Sequence, residues 1–367
     1  MSASTTPRRS DAIVGLRGLT VIAIMAHHYM PADFFSFNVA KAFNALLIAI
    51  GGYFFAGFML REQSSLDSGS VLERARAVGR LLARQVARIW PLLAFVIALY
   101  VGLAYVDGGD LTGQILSTWW LYLVNLGNVP KLMYGAQAFP AHFWTIAAQE
   151  QVIALVGLGM ILVGLSGLRK ALPWLIVGGL VVRIASIIAF MPGNSALALE
   201  MPWSVLDIVC VGMLARLAVD DPSVRGRTRR GAYTGALLVA LAWVVLPNTN
   251  AAFYGLVPLC LALLAVGMVL TATDDMRADA MTRAICHPVL NFLGTIALSL
   301  FFLHPFVNTV LVLAWPHLTG SLMPWWAFAI VGPAVAIPCA WAMHVAIERP
   351  LLSARTHRST SPRLAAA

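Results

Sequence analysis

An arginine and a histidine stand near the two ends of the first apolar segment. The segment GLRGLTVIAIMAHHYM covers residues 15–30, with Arg17 near its start and His27 and His28 near its end. In an α-helix, the eleven positions from Arg17 to His28 make about three turns plus roughly 20°, with a rise of about 16 Å. Both side chains therefore lie on one face at different depths, whereas His27 points about 80° away from Arg17. Ionisable residues inside membrane segments are costly and commonly functional, so this pair is a candidate for chemistry.

A purely structural interpretation of this pair stays open. Arg17 can be a snorkelling anchor at one membrane surface, and the histidines can mark the opposite water boundary. The segment alone does not separate the two interpretations, so the other polar positions of the chain decide between them.

A stripe of arginines leads into the third apolar segment. In ERARAVGRLLARQVARIWP, Arg76, Arg80, Arg84 and Arg88 recur every four residues, which places them along one face of a helix. A guanidinium binds phosphate through two parallel hydrogen bonds, so the stripe suits a phosphorylated cytosolic ligand. The alternative is topology alone, because positive loops face the cytoplasm and contact anionic lipid headgroups.

A carboxylate lies inside the fourth apolar segment. In HFWTIAAQEQVIAL (142–155), Glu150 comes about two turns into a helix that we expect to enter from the outer face. Its depth is then similar to that of His28, which it could orient or charge-pair. The alternative is a structural hydrogen bond between helices through Gln149, Glu150 or Gln151.

A few further polar positions give weaker signals. Ser299 and His304 lie in FLGTIALSLFFLHPFVN, where a histidine before a proline is typical of a kinked helix with a satisfied polar group. Arg183 and Asp207 are expected to pair, because lone charges in apolar segments are costly. Glu348 ends the last apolar segment, and we expect it to cap that helix at the interface.

The composition indicates that membrane helices carry these residues. Of 367 residues, 60% are hydrophobic and 11% are charged, with a mean hydropathy of +0.81. A soluble domain is nearer half apolar and one quarter charged. The formal charge of +9 arises from short arginine clusters between apolar segments, which argues against a nucleic-acid partner and for contact with membrane lipid. The four cysteines are scattered without metal-ligand spacing, so no metal is expected.

Ten segments have the length and apolarity of a membrane-spanning helix. They cover 12–30, 39–60, 87–106, 143–166, 171–190, 202–219, 231–247, 251–272, 290–315 and 325–347. The apolar segment 111–127 contains Trp119, Trp120 and Tyr122, which suit a helix lying at the headgroup level. An eleventh span there would move the later arginine clusters outside, against the positive-inside rule.

The expected architecture is therefore an all-α integral membrane protein. About ten transmembrane helices form one bundle over 1–350, with both termini cytoplasmic and a disordered basic tail over 351–367. The sequence contains no nucleotide-binding G-x-x-x-x-G-K-[ST], no G-x-S-x-G and no H-E-x-x-H. A group donor must therefore bind by another route.

Taken in order, these elements resemble the acyltransferase-3 family of polytopic membrane acyltransferases. Seven pieces carry the resemblance: LRGLTVIAIMAHHYM, GGYFFAGFML, RQVARIWPL, FWTIAAQEQ, VLDIVCVGMLA, LGTIALSLFFLHP and the terminal ERP. They match family positions at Arg17, His28, Gly57, Phe58, Arg84, Arg88, Pro91, Trp144, Glu150, Gln151, Asp207 and Gly212. Each piece is degenerate alone, but their order is specific. The chain departs from the family pattern at Ala56, Thr145, Ala147, Gln149 and Val205, which bears mainly on the acceptor.

The resemblance implies an O-acyltransferase of the bacterial inner (cytoplasmic) membrane. Such an enzyme moves an acetyl or other short acyl group to a hydroxyl of a surface polysaccharide, a cell-wall glycan or a glycosylated metabolite. The implied donor is cytosolic acetyl-CoA or another acyl-CoA, with Arg84, Arg88 and Arg80 holding its phosphates.

The resemblance also implies a catalytic group made of His28, Glu150 and Arg17. His28 would act as general base on the acceptor hydroxyl or as a transient acyl carrier. Glu150 would orient it, and Arg17 would help at the cytoplasmic side. We expect the acceptor to meet His28 towards the outer leaflet.

Two other classes of function stay open. A transporter or flippase without acyl-transfer chemistry would show paired broken helices in two symmetric halves, and the sequence shows none. A catalytically inactive relative acting as an accessory subunit is disfavoured by the presence of Arg17, His28 and Glu150. The sequence carries no signal for an oligomeric state.

Overall fold

The computed structural model describes residues 9–31, 34, 39–108, 110–135, 140–191, 193–245, 250–274 and 280–351. Within these ranges all regular structure is helical, so the all-α class is confirmed. The helices are α1 (Arg9–Tyr29), α2 (Val39–Arg61), α3 (Gln63–Asp67), α4 (Val71–Asp107), α5 (Asp110–Leu123), α6 (Val129–Tyr134), α7 (Trp144–Phe190), α8 (Ser195–Leu199), α9 (Leu206–Val219), α10 (Pro222–Val245), α11 (Asn250–Asp274), α12 (Ala280–Ile285), α13 (Pro288–Thr295), α14 (Ala297–Thr319) and α15 (Trp325–Met343). The tail predicted over 351–367 lies outside the described residues, apart from its first position.

Seven helices among the described residues are long and apolar enough to cross a membrane. They cover Asp11–Tyr29, Ala42–Arg61, Val71–Asp107, Trp144–Phe190, Ala252–Ala272, Ala297–Thr319 and Trp325–Leu351. The predicted spans 143–166 and 171–190 both fall in α7, which has 47 residues and kinks at Gly164, where φ is 70°. Glycine adopts this left-handed conformation without steric penalty, so it allows two helical segments to meet there.

Two predicted spans are not among these seven. α9 has 14 residues, which is about 21 Å of helix and shorter than a hydrocarbon core of roughly 30 Å. α10 begins with a charged stretch that carries four arginines before Gly231, so its apolar part is short. The count of ten spans and the cytoplasmic position of both termini therefore stay predictions.

Glycines bring the central helices into backbone contact. Gly212 of α9 lies against the backbone carbonyl of Ala49 in α2, and Gly294 of α13 lies against that of Val14 in α1. A Cβ atom at either glycine would collide with its neighbour's backbone. Close backbone approach is what drives helix association in lipid, where apolar burial gives little advantage. These contacts hold α2 against α9 and α1 against α13. The first two segments of the family resemblance, LRGLTVIAIMAHHYM and GGYFFAGFML, lie in α1 and α2.

A buried ion pair joins α7 to α9. Arg183 donates a hydrogen bond of 2.7 Å to the carboxylate of Asp207, and the two side chains are 2% and 0% exposed. The expected pairing of these residues is therefore confirmed. Two charges at such depth are stable only together, so the pair sets the relative position of the two helices.

Candidate active site

A cavity of about 300 Å³ lies between α1, α2, α4, α7, α14 and the π-helical turn that follows α15. Its polar lining consists of Arg17, Arg88, Gln149 and Glu348. Most of the remaining lining is apolar and includes Phe54, Phe58 and Phe301. The structure thus brings together two of the arginines that the sequence singled out, from α1 and from the arginine stripe of α4.

Glu348 supplies a negative charge to this cavity. It is 7% exposed and ends a π-helical turn, His344–Glu348, that follows α15. Ser299 donates a hydrogen bond of 3.0 Å to its carboxylate, and Nδ1 of His344 lies 2.9 Å from the same oxygen. Its charge attracts that of Arg17, whereas Arg88 repels Arg17. The expected interfacial cap is therefore wrong, because these contacts hold the side chain inside the bundle.

Arg88 lies against the aromatic wall of the cavity. Its guanidinium carbon is 5.7 Å from the centre of the Phe54 ring, within the range of a cation–π interaction. Gly51, one turn before Phe54, packs directly against the amide of Gln149, and a side chain at that position would displace the amide. Small and flat residues on α2 therefore keep the space open beside Arg88 and Gln149.

Glu150 lies next to the cavity, on the arginine side. Gln85 donates a hydrogen bond of 2.7 Å to its carboxylate, and Gln149 donates one of 3.3 Å. It is 8% exposed, and its charge interacts with that of Arg88. The Gln85 contact joins α4 to α7, which agrees with the interhelical hydrogen bond that the sequence left as the alternative.

His28 lies in a cluster of imidazole rings. Its ring centre is 5.4 Å from that of His27 and 5.1 Å from that of His304 in α14. His304 in turn lies 5.9 Å from His142, which precedes α7. Within the described part of the chain, His28 contacts these rings, and no hydrogen bond, ion pair or ring contact joins it to Glu150. The orienting role predicted for Glu150 thus has no direct contact behind it.

The other two predicted phosphate ligands lie outside the cavity, one and two turns earlier on α4. Arg80 and Arg84 form ion pairs with Glu62 at 2.6 and 3.0 Å, and their side chains are 48% and 42% exposed. The hydrogen bond from Arg80, together with the charges of both arginines, lowers the pKa of Glu62 below its ordinary value of 4.5. The predicted arginine trio is therefore divided into one cavity residue, Arg88, and two arginines held by a carboxylate.

Sequence reasoning did not assign several polar residues to the site. They are Gln85, Gln149, His142 and Glu348, which are all buried. Each is a polar residue within or beside an apolar segment, which is the signal that singled out Glu150. Their partners come from distant parts of the chain, so this signal alone could not place them. No group of three or more His, Cys, Asp or Glu residues in the described ranges is arranged to hold a metal ion.

A known protein family matches nearly the whole chain, including the residues of the cavity on α1 and α4. Residues 11–345 match the family described as an acyltransferase domain. No curated protein and no solved structure matches the chain significantly. The matched range includes Arg17, His28, the arginine stripe and Glu150, and the apolar helices make the chain a multi-pass membrane protein. The chain belongs to the acyltransferase-3 family of membrane acyltransferases.

Proposed function

We propose that this protein transfers an acetyl or other short acyl group from cytosolic acyl-CoA to a hydroxyl of a sugar-containing acceptor. The acceptor classes are surface polysaccharide, cell-wall glycan and glycosylated metabolites, and the location is a bacterial cytoplasmic membrane. Family membership supports acyl transfer. The observation that supports the rest is the placement of two side chains of α1: Arg17 lines the cavity, and His28 lies in an imidazole cluster three turns further on.

The arginine side of the site suits the anionic part of acyl-CoA. Arg17 and Arg88 line the cavity, and Arg80 and Arg84 are exposed on the preceding turns of α4. Guanidinium groups bind phosphate with paired, charge-assisted hydrogen bonds. A phosphate that reaches Arg80 and Arg84 takes the place of Glu62. We assign Glu150 to this side of the site, where its charge balances that of Arg88.

The reaction centre of the proposal is His28. A donor whose phosphates lie at the arginines can extend its arm along the face of α1, because Arg17 and His28 are about 16 Å apart along the helix axis. His28 then removes the proton of the acceptor hydroxyl, or carries the acyl group itself between donor and acceptor. The products are an ester and free CoA, and no nucleotide hydrolysis is needed. We place the meeting with the acceptor towards the outer leaflet.

The test uses inside-out membrane vesicles that contain the wild type, His28→Ala or the matched control His27→Ala. The vesicles receive acetyl-CoA labelled in the acetyl group, and both CoA release and label in membrane or lumenal glycan are measured. We expect activity in the wild type and in His27→Ala, and its loss in His28→Ala at equal protein level.

Other results would redirect the assignment. Equal turnover by the wild type and His28→Ala would remove His28 from the reaction. If no variant consumes acetyl-CoA or a longer acyl-CoA with acceptors present, the proposal fails, and a transporter or flippase for a glycan or acyl substrate becomes the better interpretation.

A further inference from the structure

A second buried imidazole lies beside His28. His304 is 1% exposed, and its ring centre is 5.1 Å from that of His28. An imidazole nitrogen lies roughly 1 Å from the ring centre, so two rings joined by a hydrogen bond of about 2.9 Å have centres about 5 Å apart. The separation of the two ring centres therefore matches that of a hydrogen-bonded pair, and the bond forms where a nitrogen of each ring faces the other.

The backbone of α14 fixes the tautomer of His304. Its Nδ1 lies 2.9 Å from the carbonyl oxygen of Leu300. A carbonyl oxygen only accepts hydrogen bonds, so Nδ1 carries the proton, and Nε2 of the neutral ring is a free acceptor. This Nε2 is buried and has no hydrogen-bond partner among the described residues. A buried hydrogen-bond acceptor without a donor is unfavourable, so an N–H or O–H group that reaches Nε2 of His304 would be stabilised there.

The surroundings hold the His304 ring in place. Tyr29, the residue after His28, donates a hydrogen bond of 3.4 Å to the backbone carbonyl of His304. The rings of Phe301 and His142 lie 6.4 Å and 5.9 Å from the His304 ring. The position of His304 relative to α1 is thus set by contacts on several sides, which is what a group that orients another side chain requires.

We propose that His304 is the positioning residue of His28. Its Nε2 accepts the N–H of one His28 nitrogen, and this hydrogen bond leaves the other His28 nitrogen unprotonated and available as the base. The inference rests on the proposed function. A neutral imidazole can act as a base only through its unprotonated nitrogen, so the tautomer decides whether that nitrogen faces the acceptor.

With His304 holding His28, one imidazole is enough to move the proton in the transfer step. The free nitrogen of His28 takes the hydroxyl proton as the acceptor oxygen bonds to the thioester carbonyl carbon. The carbon–sulfur bond then breaks, and His28 passes the proton to the leaving thiolate, giving the ester and CoA. During the step His28 carries a positive charge, which strengthens its hydrogen bond to His304.

The test compares two replacements of similar size on the purified protein in lipid nanodiscs. In His304→Gln the amide oxygen can still accept the His28 N–H, whereas His304→Met has no strong acceptor. His317→Gln is the matched control, because His317 is an exposed histidine on the same helix. Each variant is assayed for kcat of acetyl transfer and for the dissociation constant of CoA.

We expect kcat of His304→Met to fall by about 100-fold or more with unchanged CoA affinity, since base catalysis typically contributes this much. His304→Gln should retain kcat within about tenfold of the wild type, and His317→Gln should match the wild type. Equal kcat values for the Gln and Met variants, or a loss of CoA affinity that accounts for the lower activity, would overturn the proposal.

A second measurement does not depend on the Met variant. Nitrogen NMR of ¹⁵N-histidine protein, assigned with His28→Ala, reports the protonation of each His28 nitrogen. The proposal requires a single tautomer in the wild type, and a tautomer mixture would contradict it. The failure modes are distinct: no acyl transfer by the wild type removes the proposed function, whereas active wild type and active His304→Met remove only the role of His304.

Discussion

Arg17 and Glu348 line the same cavity from opposite ends of the chain. Arg17 belongs to α1, and Glu348 ends the π-helical turn after α15. Their charges attract, and Glu348 also interacts with Ser299 and His344. A carboxylate that is 7% exposed needs such partners, since an uncompensated buried charge is strongly unfavourable. The cavity lining therefore holds two opposite charges that come from opposite ends of the chain.

The charge of Glu348 should contribute to stability through Arg17. We expect Glu348→Gln to lower the free energy of unfolding by about 2 kcal/mol, less than for a fully buried pair because the cavity admits water. Ser299→Ala is the control, since it removes one hydrogen bond and keeps the charge, and should cost about 1 kcal/mol. Thermal unfolding monitored by size-exclusion chromatography measures both variants.

Added CoA gives this prediction a second readout. An anion in the cavity compensates Arg17 and Arg88, so CoA should raise the melting temperature of Glu348→Gln more than that of the wild type. Equal melting temperatures for the two variants without CoA would show that the charge of Glu348 does not act on Arg17.

The arginines of the stripe on α4 should differ in their effect on donor binding, depending on whether they line the cavity. Arg88 lines the cavity, whereas Arg76 is exposed on the same helix three turns earlier. We expect Arg88→Ala to raise KM for acetyl-CoA by about 10- to 100-fold, the range for one lost charge-assisted hydrogen bond. Arg76→Ala should leave KM within about twofold. Arg88→Lys should restore activity only in part, because an ammonium lacks the planar fork. Similar KM values for Arg88→Ala and Arg76→Ala would place the donor elsewhere.

The membrane helices could be predicted from the sequence because each of them is identified by the hydropathy of its own residues. Apolar runs of about 20 residues predict spans without knowledge of their neighbours. Where the structure differs from the prediction, the reason is local. Two predicted spans meet in α7, which Gly164 interrupts with a kink, and α9 is too short to be counted as a span.

The residues of the site could be predicted from the sequence only where helical periodicity places them on one face of a helix. Arg17 and Arg88 stood out as charges in apolar surroundings, and they share a cavity. The pairing of Arg80 and Arg84 with Glu62 depends on how α4 packs beside the end of α2. The contacts of His28 with His304 depend in the same way on tertiary packing, which no local pattern encodes.

Glu62 should compete with phosphate for Arg80 and Arg84. We expect Glu62→Gln to lower KM for acetyl-CoA several-fold, because both arginines lose their anionic partner. Glu73→Gln is the matched control, since Glu73 caps the start of α4 with Ser70 and glutamine keeps that cap. An unchanged or higher KM in Glu62→Gln would show that these arginines do not meet the donor.

The pH dependence of this competition follows from the pKa of Glu62. The ion pairs with Arg80 and Arg84 lower that pKa below 4.5, so their stabilising contribution is present above the ordinary value and is lost only as pH falls through the lowered one. Between about pH 6 and pH 8, the ratio of KM in the wild type to KM in Glu62→Gln should therefore be constant. A ratio that changes with a midpoint in this interval would show that Glu62 is not ionised throughout it.

The contact between α2 and α9 should depend on the absence of a side chain at Gly212. An added Cβ meets the backbone of Ala49, which cannot rotate away as a side chain can, so the helices must separate. We expect Gly212→Ala to destabilise the protein by about 1–3 kcal/mol and to lower activity, because α2 carries Gly51 and Phe54 into the cavity. The control is Gly102→Ala in α4, where a Cβ meets nothing within 4 Å and alanine should stabilise the helix by up to about 1 kcal/mol. Melting temperatures that fall equally in both variants would show a general effect of the substitution rather than close packing of α2 against α9.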